Sequence, residues 1–426
     1  MRHFLNILSI AVILLFSTRE SNAQSDKIYH PMIYTLQTIV NENWLNDDVI
    51  TLDTDDRITI SFDHLSHDYH RFIYKITHCN ADWTPSDLFD VDYMEGFNGL
   101  DIEDYATSLN TTMLYTHYSL ELPNDEIQFK VSGNYKVEIY LDEEEDSDNK
   151  WDTEHPVAVA CFRIVEPRVT LAARVTSNTD IDTNLSHQQV SFTINHNGYN
   201  IINPTEEIKP YIYQNNRTDN CVYGIKPTYT STGVLEYIHN QQLIFPAGNE
   251  YRRFEVINMH YATQGVDKIS YYKPYYHAEL YPSTIRRNYS YDEDHNGHYL
   301  IRYNLAEDNS TEADYMFVHF RLNMPYRPGG SFYLTGEFTY NEFTPNFQTK
   351  YNNTENAYEA IIILKQGAYD YMYLWVPDGN DKGYTAPAEG NFYETENKYQ
   401  IYIYHRPFGG RYDRLVAAEE IKFTQD

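Results

Sequence analysis

Short runs with the pattern of β-strands recur along almost the whole chain, and sustained helical periodicity is almost absent. In residues 135–141, Tyr135, Val137 and Ile139 alternate with Lys136 and Glu138, which places the first three on one face of a strand. Turn sequences separate the runs, among them Asn197-Gly198 and Asp378-Gly379-Asn380. Short strand patterns separated by turn sequences predict an all-β fold.

Two junctions divide the strand runs into three groups. Val165-Glu166-Pro167 and Tyr281-Pro282-Ser283 each close one strand and start another. The sequence therefore predicts tandem immunoglobulin-like β-sandwich domains at residues 24–166, 167–283 and 284–426. Short helical turns are expected only near residues 85–89 and 102–108.

Residues 1–23 have the features of a secretory signal peptide. A positively charged start precedes an apolar run at residues 5–16, and Ser21 and Ala23 place small residues where a signal peptidase cuts. The apolar run is too short to span a bilayer, and no later run is long enough for a membrane helix. We expect export and cleavage after Ala23, with an uncleaved anchor as the alternative.

The charge balance excludes several classes of partner. The chain has 62 acidic and 32 basic residues, a formal net charge of −30. Such a chain repels nucleic-acid backbones and anionic membrane surfaces, but it attracts a basic partner. Its 42 tyrosines suit pleated strands, and they also suit protein interfaces, where the ring packs and the hydroxyl stays hydrated.

The sequence lacks the common signatures of catalysis and offers weak candidates for metal binding. It contains no GxSxG, HExxH, P-loop or GxGxxG motif. Residues 292–297 begin like an EF-hand, but Tyr303 stands where that loop requires a glutamate, so a β-turn at Asn296-Gly297 is the preferred interpretation. His64, His67 and His70 are interpreted as exposed loop histidines. We therefore expect that the protein binds no metal and no cofactor and catalyses no reaction.

Three cysteines, Cys79, Cys161 and Cys221, allow at most one disulfide within the chain, and the sequence does not choose a pair. Buried thiols that act as small hydrophobic groups are the alternative. The acidic run at residues 142–148 is expected to be a solvated loop.

The C-terminal third resembles a known type of binding module. Residues 331–340, Tyr358 and residues 364–371 are similar to the early-set immunoglobulin-like modules that bind starch or glycogen. Such modules use exposed aromatic platforms, but the position where they often carry tryptophan is nearest to Phe343 here. Trp375 lies within a strand run and is expected in the core. This resemblance implies an alternative function, a carbohydrate-binding periplasmic or surface module.

A longer, ordered series of segments resembles one specific family. The series includes Phe62-Asp63, His-Cys-Asn-Ala-Asp-Trp at 78–83, Gly96-Phe97, Ser-Gly-Asn-Tyr at 132–135, Gly-Asn-Glu-Tyr-Arg at 248–252, Leu-Lys-Gln-Gly at 364–367 and Glu-Gly-Asn-Phe at 389–392. Together these segments resemble the plug protein of the bacterial type IX secretion system. The resemblance implies a non-catalytic periplasmic protein at the inner face of the outer membrane. It would dock on a very large outer-membrane β-barrel translocon and close its pore when no cargo is passing.

Candidate contact residues lie in two loops of the first predicted domain. The compact aromatic loop around Trp83 and the segment Gly96-Phe97 are the predicted partner-binding positions. For Trp83 a second interpretation stays open, in which the indole anchors its own loop from within the core.

Overall fold

The computed structural model describes residues 26–142 and 155–424, which form three two-layer β-sandwiches. The prediction of an all-β fold made of β-sandwich domains is confirmed. The predicted signal peptide and residues 143–148 of the acidic run lie outside the described residues.

Within the described residues, no helix has both the length and the apolar character that crossing a membrane requires.

The first sandwich uses residues 27–165 alone. Its larger sheet contains Lys27–Ile28, Val49–Thr51, Phe72–Cys79, Leu100–Asp101, Gly133–Leu141 and Ala158–Val165. The facing sheet contains Ile33–Val40, Ile58–His64, Asp104–Thr107 and Thr116–Leu122, with a small pair Met94–Glu95 and Gln128–Phe129 and a helix Asp90–Tyr93. Tyr135, Val137 and Ile139 are buried between the sheets while Lys136 and Glu138 are half-buried, as the alternation predicts.

The middle sandwich combines two distant parts of the chain. One sheet contains Thr170–Thr176, His187–Asn195, Tyr229–Ser231, Val234–Tyr237 and Ile244–Pro246. The other contains Ile208–Gln214, Val222–Tyr223, Lys398–His405 and Arg414–Lys422, with short helices at Pro204–Glu207 and Gln241–Leu243. Ile401 and Val416 share a core with Val190 and Phe192, so the C-terminal strands complete this sandwich.

The third sandwich lies between those two parts in sequence. One sheet contains Arg252–Glu255, Tyr299–Ile301, Gly330–Thr335 and Gly367–Pro377. The other contains Val266–Tyr272, Tyr275–Leu280, Ser283–Thr284, Tyr315–Asn323, Lys350–Asn352 and Ala357–Lys365, with short helices at Asn309–Glu312 and Glu337–Thr339. It is an insertion between strands of the middle sandwich.

The sheets depart from the predicted division of the chain between residues 283 and 284. Strand Ile208–Gln214 pairs in antiparallel register with Lys398–His405. Arg252–Glu255 pairs with Gly367–Pro377. These pairings join segments that are far apart in sequence, and local strand and turn patterns carry no information about which distant strands pair.

The helical turns also differ from their predicted places. The helix of the first sandwich is Asp90–Tyr93 rather than 85–89. Residues 104–107 form a strand paired with Thr116–Leu122, so the helical turn predicted near 102–108 is wrong. Cross-strand hydrogen bonding overrides the weak local preference there.

A buried ion pair connects the first sandwich to the third. Lys365 Nζ lies 2.6 Å from Asp63 Oδ2, and both side chains are 1% exposed. Tyr315 donates its hydroxyl to the same oxygen at 2.6 Å, and His117 Nδ1 lies 2.7 Å from Asp63 Oδ1. Burial acts to raise the pKa of Asp63, but Lys365 and His117 outweigh it and hold that pKa below its usual range. Both oxygens of the carboxylate therefore have protein partners.

Separate contacts join the first sandwich to the middle one. Ala81 of the first sandwich donates its backbone N–H to Asp413 Oδ2 at 3.0 Å, and Lys209, which like Asp413 belongs to the middle sandwich, lies 2.7 Å from the other oxygen of that carboxylate. Tyr404 donates to the side-chain oxygen of Asn134 at 2.6 Å. With buried polar contacts of this kind at both interfaces, the first sandwich is fixed to the other two.

Replacing Lys365 by methionine should destabilise the protein by about 3–5 kcal/mol, because Asp63 would keep a buried charge without its cation. Urea unfolding followed by near-ultraviolet circular dichroism measures this loss. The matched control is Arg321→Met, which removes a partly exposed pair with Glu355 at 2.9 Å and should cost less than about 1 kcal/mol. Equal losses in the two variants would contradict the proposed importance of the buried pair.

A fragment of residues 284–426 should fail to unfold cooperatively. It lacks the strands Arg252–Glu255, Val266–Tyr272 and Tyr275–Leu280, and it carries Lys398–His405 without its partner Ile208–Gln214. A fragment of residues 249–394 keeps every strand of the third sandwich and should give one calorimetric transition. A cooperative transition of the 284–426 fragment would contradict the insertion.

Candidate functional site

The loop around Trp83 is a tight turn at the end of strand Phe72–Cys79. Trp83 donates its backbone N–H to Asn80 O at 2.9 Å, and Asn80 donates its own to Thr84 O at 2.8 Å. Trp83 has a φ of +63°, an uncommon conformation for a bulky residue. Turn hydrogen bonds therefore set the position of the indole.

The indole of Trp83 is buried, with 2% of its surface exposed, in a small cluster with Cys79, Val159 and Cys161. Arg163 lies 5.1 Å from the ring and also faces Tyr402, at 4.2 Å. The burial agrees with the core-anchor interpretation. A direct contact of this side chain with a partner would require the loop to open.

The Gly96-Phe97 segment has the opposite character. Phe97 is 80% exposed. Gly96 has a φ of +109°, and a Cβ at this position would lie 2.1 Å from the backbone oxygen of Glu126, so only glycine fits. Asn98 fixes the other side of the Phe97 loop. Its side-chain amide accepts a hydrogen bond from Ile76 N at 2.7 Å and donates one to Asp90 Oδ2 at 2.8 Å. The backbone thus holds Phe97 in solvent.

Two more exposed apolar side chains lie at the start of the helix Asp90–Tyr93, Phe89 just before it and Val91 within it. Phe89 is 73% exposed and Val91 is 72% exposed. The Asn98–Asp90 hydrogen bond ties this helix to the Phe97 loop. We call Phe89, Val91 and Phe97 the apolar tip. Sequence reasoning found only Phe97, although the alternation of apolar and acidic residues in Phe-Asp-Val-Asp at 89–92 is a signal for the other two.

The base of the apolar tip is held by two sandwiches. Tyr93 donates its hydroxyl to Ile76 O at 2.7 Å within the first sandwich. Arg411, from the loop between the last two strands of the middle sandwich, lies 2.6 Å from Asp92 Oδ2. Exposed apolar side chains on an ordered loop are typical of an interaction surface, because solvation of such groups is unfavourable.

The EF-hand-like segment is a structural turn. Asn296 and Gly297 have φ values of +54° and +95°, as the β-turn interpretation requires. The Asp294 carboxylate accepts the backbone N–H groups of Tyr251 and Asn296, and burial raises its pKa to about 6. Among residues 26–142 and 155–424, no group of three His, Cys, Asp or Glu side chains is arranged to hold a metal ion.

The histidine and cysteine predictions have mixed outcomes. His64 lies on strand Ile58–His64 and is buried, so its placement in an exposed loop is wrong; burial lowers its pKa to about 4. His67 is exposed, and His70 is half-buried with its ring 4.4 Å from that of His64.

None of the three cysteines forms a disulfide, and burial raises the pKa of the Cys79 thiol to about 12.

The predicted glycan-binding positions do not form an exposed platform. Phe343 packs partly buried against Tyr251, Met372 and Leu374. Trp375 is buried in the core of the third sandwich, as expected.

Comparison with known proteins identifies the family. Residues 33–152 match the type 9 secretion system plug protein 1st domain. The chain belongs to the type 9 (type IX) secretion system plug family. The crystal structure of a hypothetical protein from Parabacteroides merdae ATCC 43184 is similar along the whole fold, with a TM-score of 0.90 and 43% sequence identity. The similarity covers 94% of this chain and 99% of that one. Comparison with curated proteins gives no significant match.

The match to the plug family lies where the candidate site lies. Residues 33–152 include the Trp83 loop and the whole apolar tip. The family is a secretion-system family and is not a known family of enzymes. A role connected with type 9 secretion and a location in the cell envelope follow from this membership.

Gly96 and Gly99 offer a matched pair of substitutions in the tip. Both have positive φ, but a Cβ on Gly99 would meet nothing within 4 Å. Gly99→Ala should therefore cost only the backbone strain of about 1–2 kcal/mol. Gly96→Ala should cost about 1–3 kcal/mol more, because its Cβ overlaps the Glu126 carbonyl. Chemical denaturation measures both values, and equal costs would contradict the described loop geometry.

Proposed function

We propose that the chain is a non-catalytic plug of the type 9 secretion system. It docks on the periplasmic mouth of the outer-membrane translocon barrel and closes the pore when no cargo is passing. The observation that carries this proposal is the match of residues 33–152 to the plug family. A pore that passes folded cargo would leak small solutes if it stayed open. A rigid protein that fills the mouth of the pore would prevent that leak.

The rigidity of the molecule supports this function. The buried Asp63–Lys365 pair fixes the first sandwich to the third, and the hydrogen bonds of Ala81 to Asp413 and of Tyr404 to Asn134 fix it to the middle one. Breaking a buried pair costs about 3–5 kcal/mol, so the sandwiches resist movement relative to each other. A plug that deformed under solute or cargo pressure would not seal.

The charge supports a water-soluble protein at the inner face of the outer membrane. A net charge of −30 opposes self-association and steers the chain toward basic surfaces. The interface is therefore proposed to combine a small apolar contact with a polar surround, which allows sealing and release.

The apolar tip is the proposed apolar contact. Burying an exposed phenylalanine contributes about 1.5–3 kcal/mol, and Phe89 and Phe97 are both mostly exposed. Because Gly96, Asn98 and Asp90 fix the loop, its backbone loses little additional freedom on binding.

A native pull-down tests the proposal. The protein is tagged at Asp426, envelopes are solubilised gently, and co-purifying proteins are identified by mass spectrometry. We expect one very large outer-membrane barrel in nearly equal amount. Recovery of the protein alone, or with polysaccharide, would overturn the proposal, and polysaccharide would favour the carbohydrate-binding alternative.

Phe97→Asp should reduce recovery of the barrel at least about tenfold, because a charge replaces an apolar group whose burial is worth more than 1.4 kcal/mol. The matched control is Leu305→Asp, which changes an equally apolar residue, 66% exposed, in the third sandwich. The control should bind as the wild type does. Unchanged thermal midpoints would establish that both variants are folded, and equal recovery with both would argue against the apolar tip.

A further inference from the structure

A wide cleft opens where the three sandwiches meet. It has a volume of about 1050 Å³. The first sandwich contributes Trp83, the middle sandwich contributes Tyr213 and Tyr223, and the third contributes Tyr333 and Phe343. We call it the junction cleft. It is separate from the apolar tip, whose residues do not line it.

Aromatic pairs form two of its walls. Tyr211 and Tyr223 stack with ring centroids 5.5 Å apart and an interplanar angle of 12°. Tyr333 and Phe343 lie 5.4 Å apart in the third sandwich. Tyr223 is 63% exposed although it belongs to a stacked pair. Aromatic faces carry partial negative charge and attract cations.

The charged residues of the junction cleft are mainly acidic. Asp82, Asp219, Glu342 and Asp381 line it, against the single cation Lys27. Asp219 is paired with Arg217 at 2.7 Å and Glu342 with Lys27 at 3.2 Å. Within the described part of the chain, Asp82 and Asp381 form no ion pair; Asp82 accepts hydrogen bonds from Thr84 only. Two carboxylates in the cleft therefore lack a cation.

The floor of the cleft offers an unpartnered donor. Trp83 is 98% buried, and its indole Nε1–H finds no acceptor in the described structure. Trp83 and Tyr213 also line a smaller cavity of about 80 Å³ beneath, which contains Asp26, Asp48 and Arg163. Burial raises the pKa of Asp26 to about 7 and also raises that of Asp48. A buried donor without an acceptor is costly, and this one lies beneath the surface of the cleft rather than on it.

We propose that the junction cleft binds an extended segment of a partner protein that carries a lysine or arginine side chain. The cleft, with a volume of about 1050 Å³ between the three sandwiches, has room for such a segment. Its cation meets Asp82 and Asp381 and packs on the tyrosine rings. A neutral sugar would stack on the rings, but it would leave the two carboxylates without a cation. This deepens the proposed function, because it names the chemical class of segment that the plug receives.

Fluorescence anisotropy of two labelled peptides tests the cleft on the full mature chain at physiological salt. The probes are the heptapeptide Gly-Thr-Arg-Val-Arg-Thr-Gly and the same peptide with glutamate in place of both arginines. We expect the basic peptide to bind at least about tenfold more tightly, since a charge-complementary contact is worth more than 1.4 kcal/mol. Equal affinity for the two peptides would overturn the proposal.

A charge-matched pair of variants separates the cleft from the general acidity of the surface. The double variant Asp82→Asn with Asp381→Asn should lose about tenfold in affinity for the basic peptide. The double variant Asp53→Asn with Asp55→Asn removes the same charge from an exposed turn and should bind as the wild type does. Equal loss in both would show non-specific attraction and overturn the proposal. Tyr223→Ala should also weaken binding without changing the thermal midpoint.

The outcome for the cleft is distinguishable from the outcome for the plug function. Barrel recovery with wild-type protein and no peptide preference would overturn the cleft alone. Peptide preference without barrel recovery would support the cleft and overturn the plug function. Displacement of the basic peptide by a neutral oligosaccharide at equal concentration would assign the cleft to glycans and overturn the proposal.

Discussion

The buried contact between Asp63 and Lys365 is the constraint on which the arrangement of the molecule depends. A lysine and an aspartate that are both 1% exposed are stable only when every oxygen and proton has a partner. Tyr315 and His117 supply the remaining hydrogen bonds of the carboxylate, and Ser310 O accepts from the ammonium. The two sandwiches cannot slide without breaking several of these at once, which restricts them to one relative position.

The fixed arrangement of the sandwiches shapes both proposed binding surfaces. The apolar tip is held by the first sandwich and by Arg411 of the middle one, and the junction cleft has walls from all three. The tip belongs to the first sandwich but is braced by the middle one, and the cleft is shared by all three. Substitutions far from both surfaces can therefore affect binding if they alter the contacts between sandwiches, even when each sandwich still folds.

Local sequence patterns predicted the parts of this structure that depend on neighbouring residues. The strand alternation in 133–141, the turn at Asn296-Gly297 and the burial of Trp375 follow from period, turn chemistry and hydrophobicity. The pairing of Ile208–Gln214 with Lys398–His405 does not, because a strand pattern shows which face is buried but not which strand lies beside it. The exposed position predicted for His64 is wrong because its ring packs against His70 and Phe72, and the spacing of the histidines does not show that packing.

The candidate site was predictable to a limited extent. An exposed Phe97 after a glycine is visible in the sequence, and the structure shows why Gly96 is required there. The junction cleft could not be anticipated, since Trp83, Tyr223 and Phe343 come from three sandwiches. The burial of Trp83 likewise depends on Val159 and Cys161, which lie on a strand far along the chain.

The insertion of the third sandwich within the middle one also sets the order in which the sandwiches can fold. A chain that emerges with its N-terminus first can complete the first sandwich early. Residues 170–246 must then wait with one apolar side uncovered until the inserted sandwich and strands 398–422 have followed. Partly folded chains with uncovered sheets aggregate readily, so this middle section is where a holding chaperone would be needed during biogenesis.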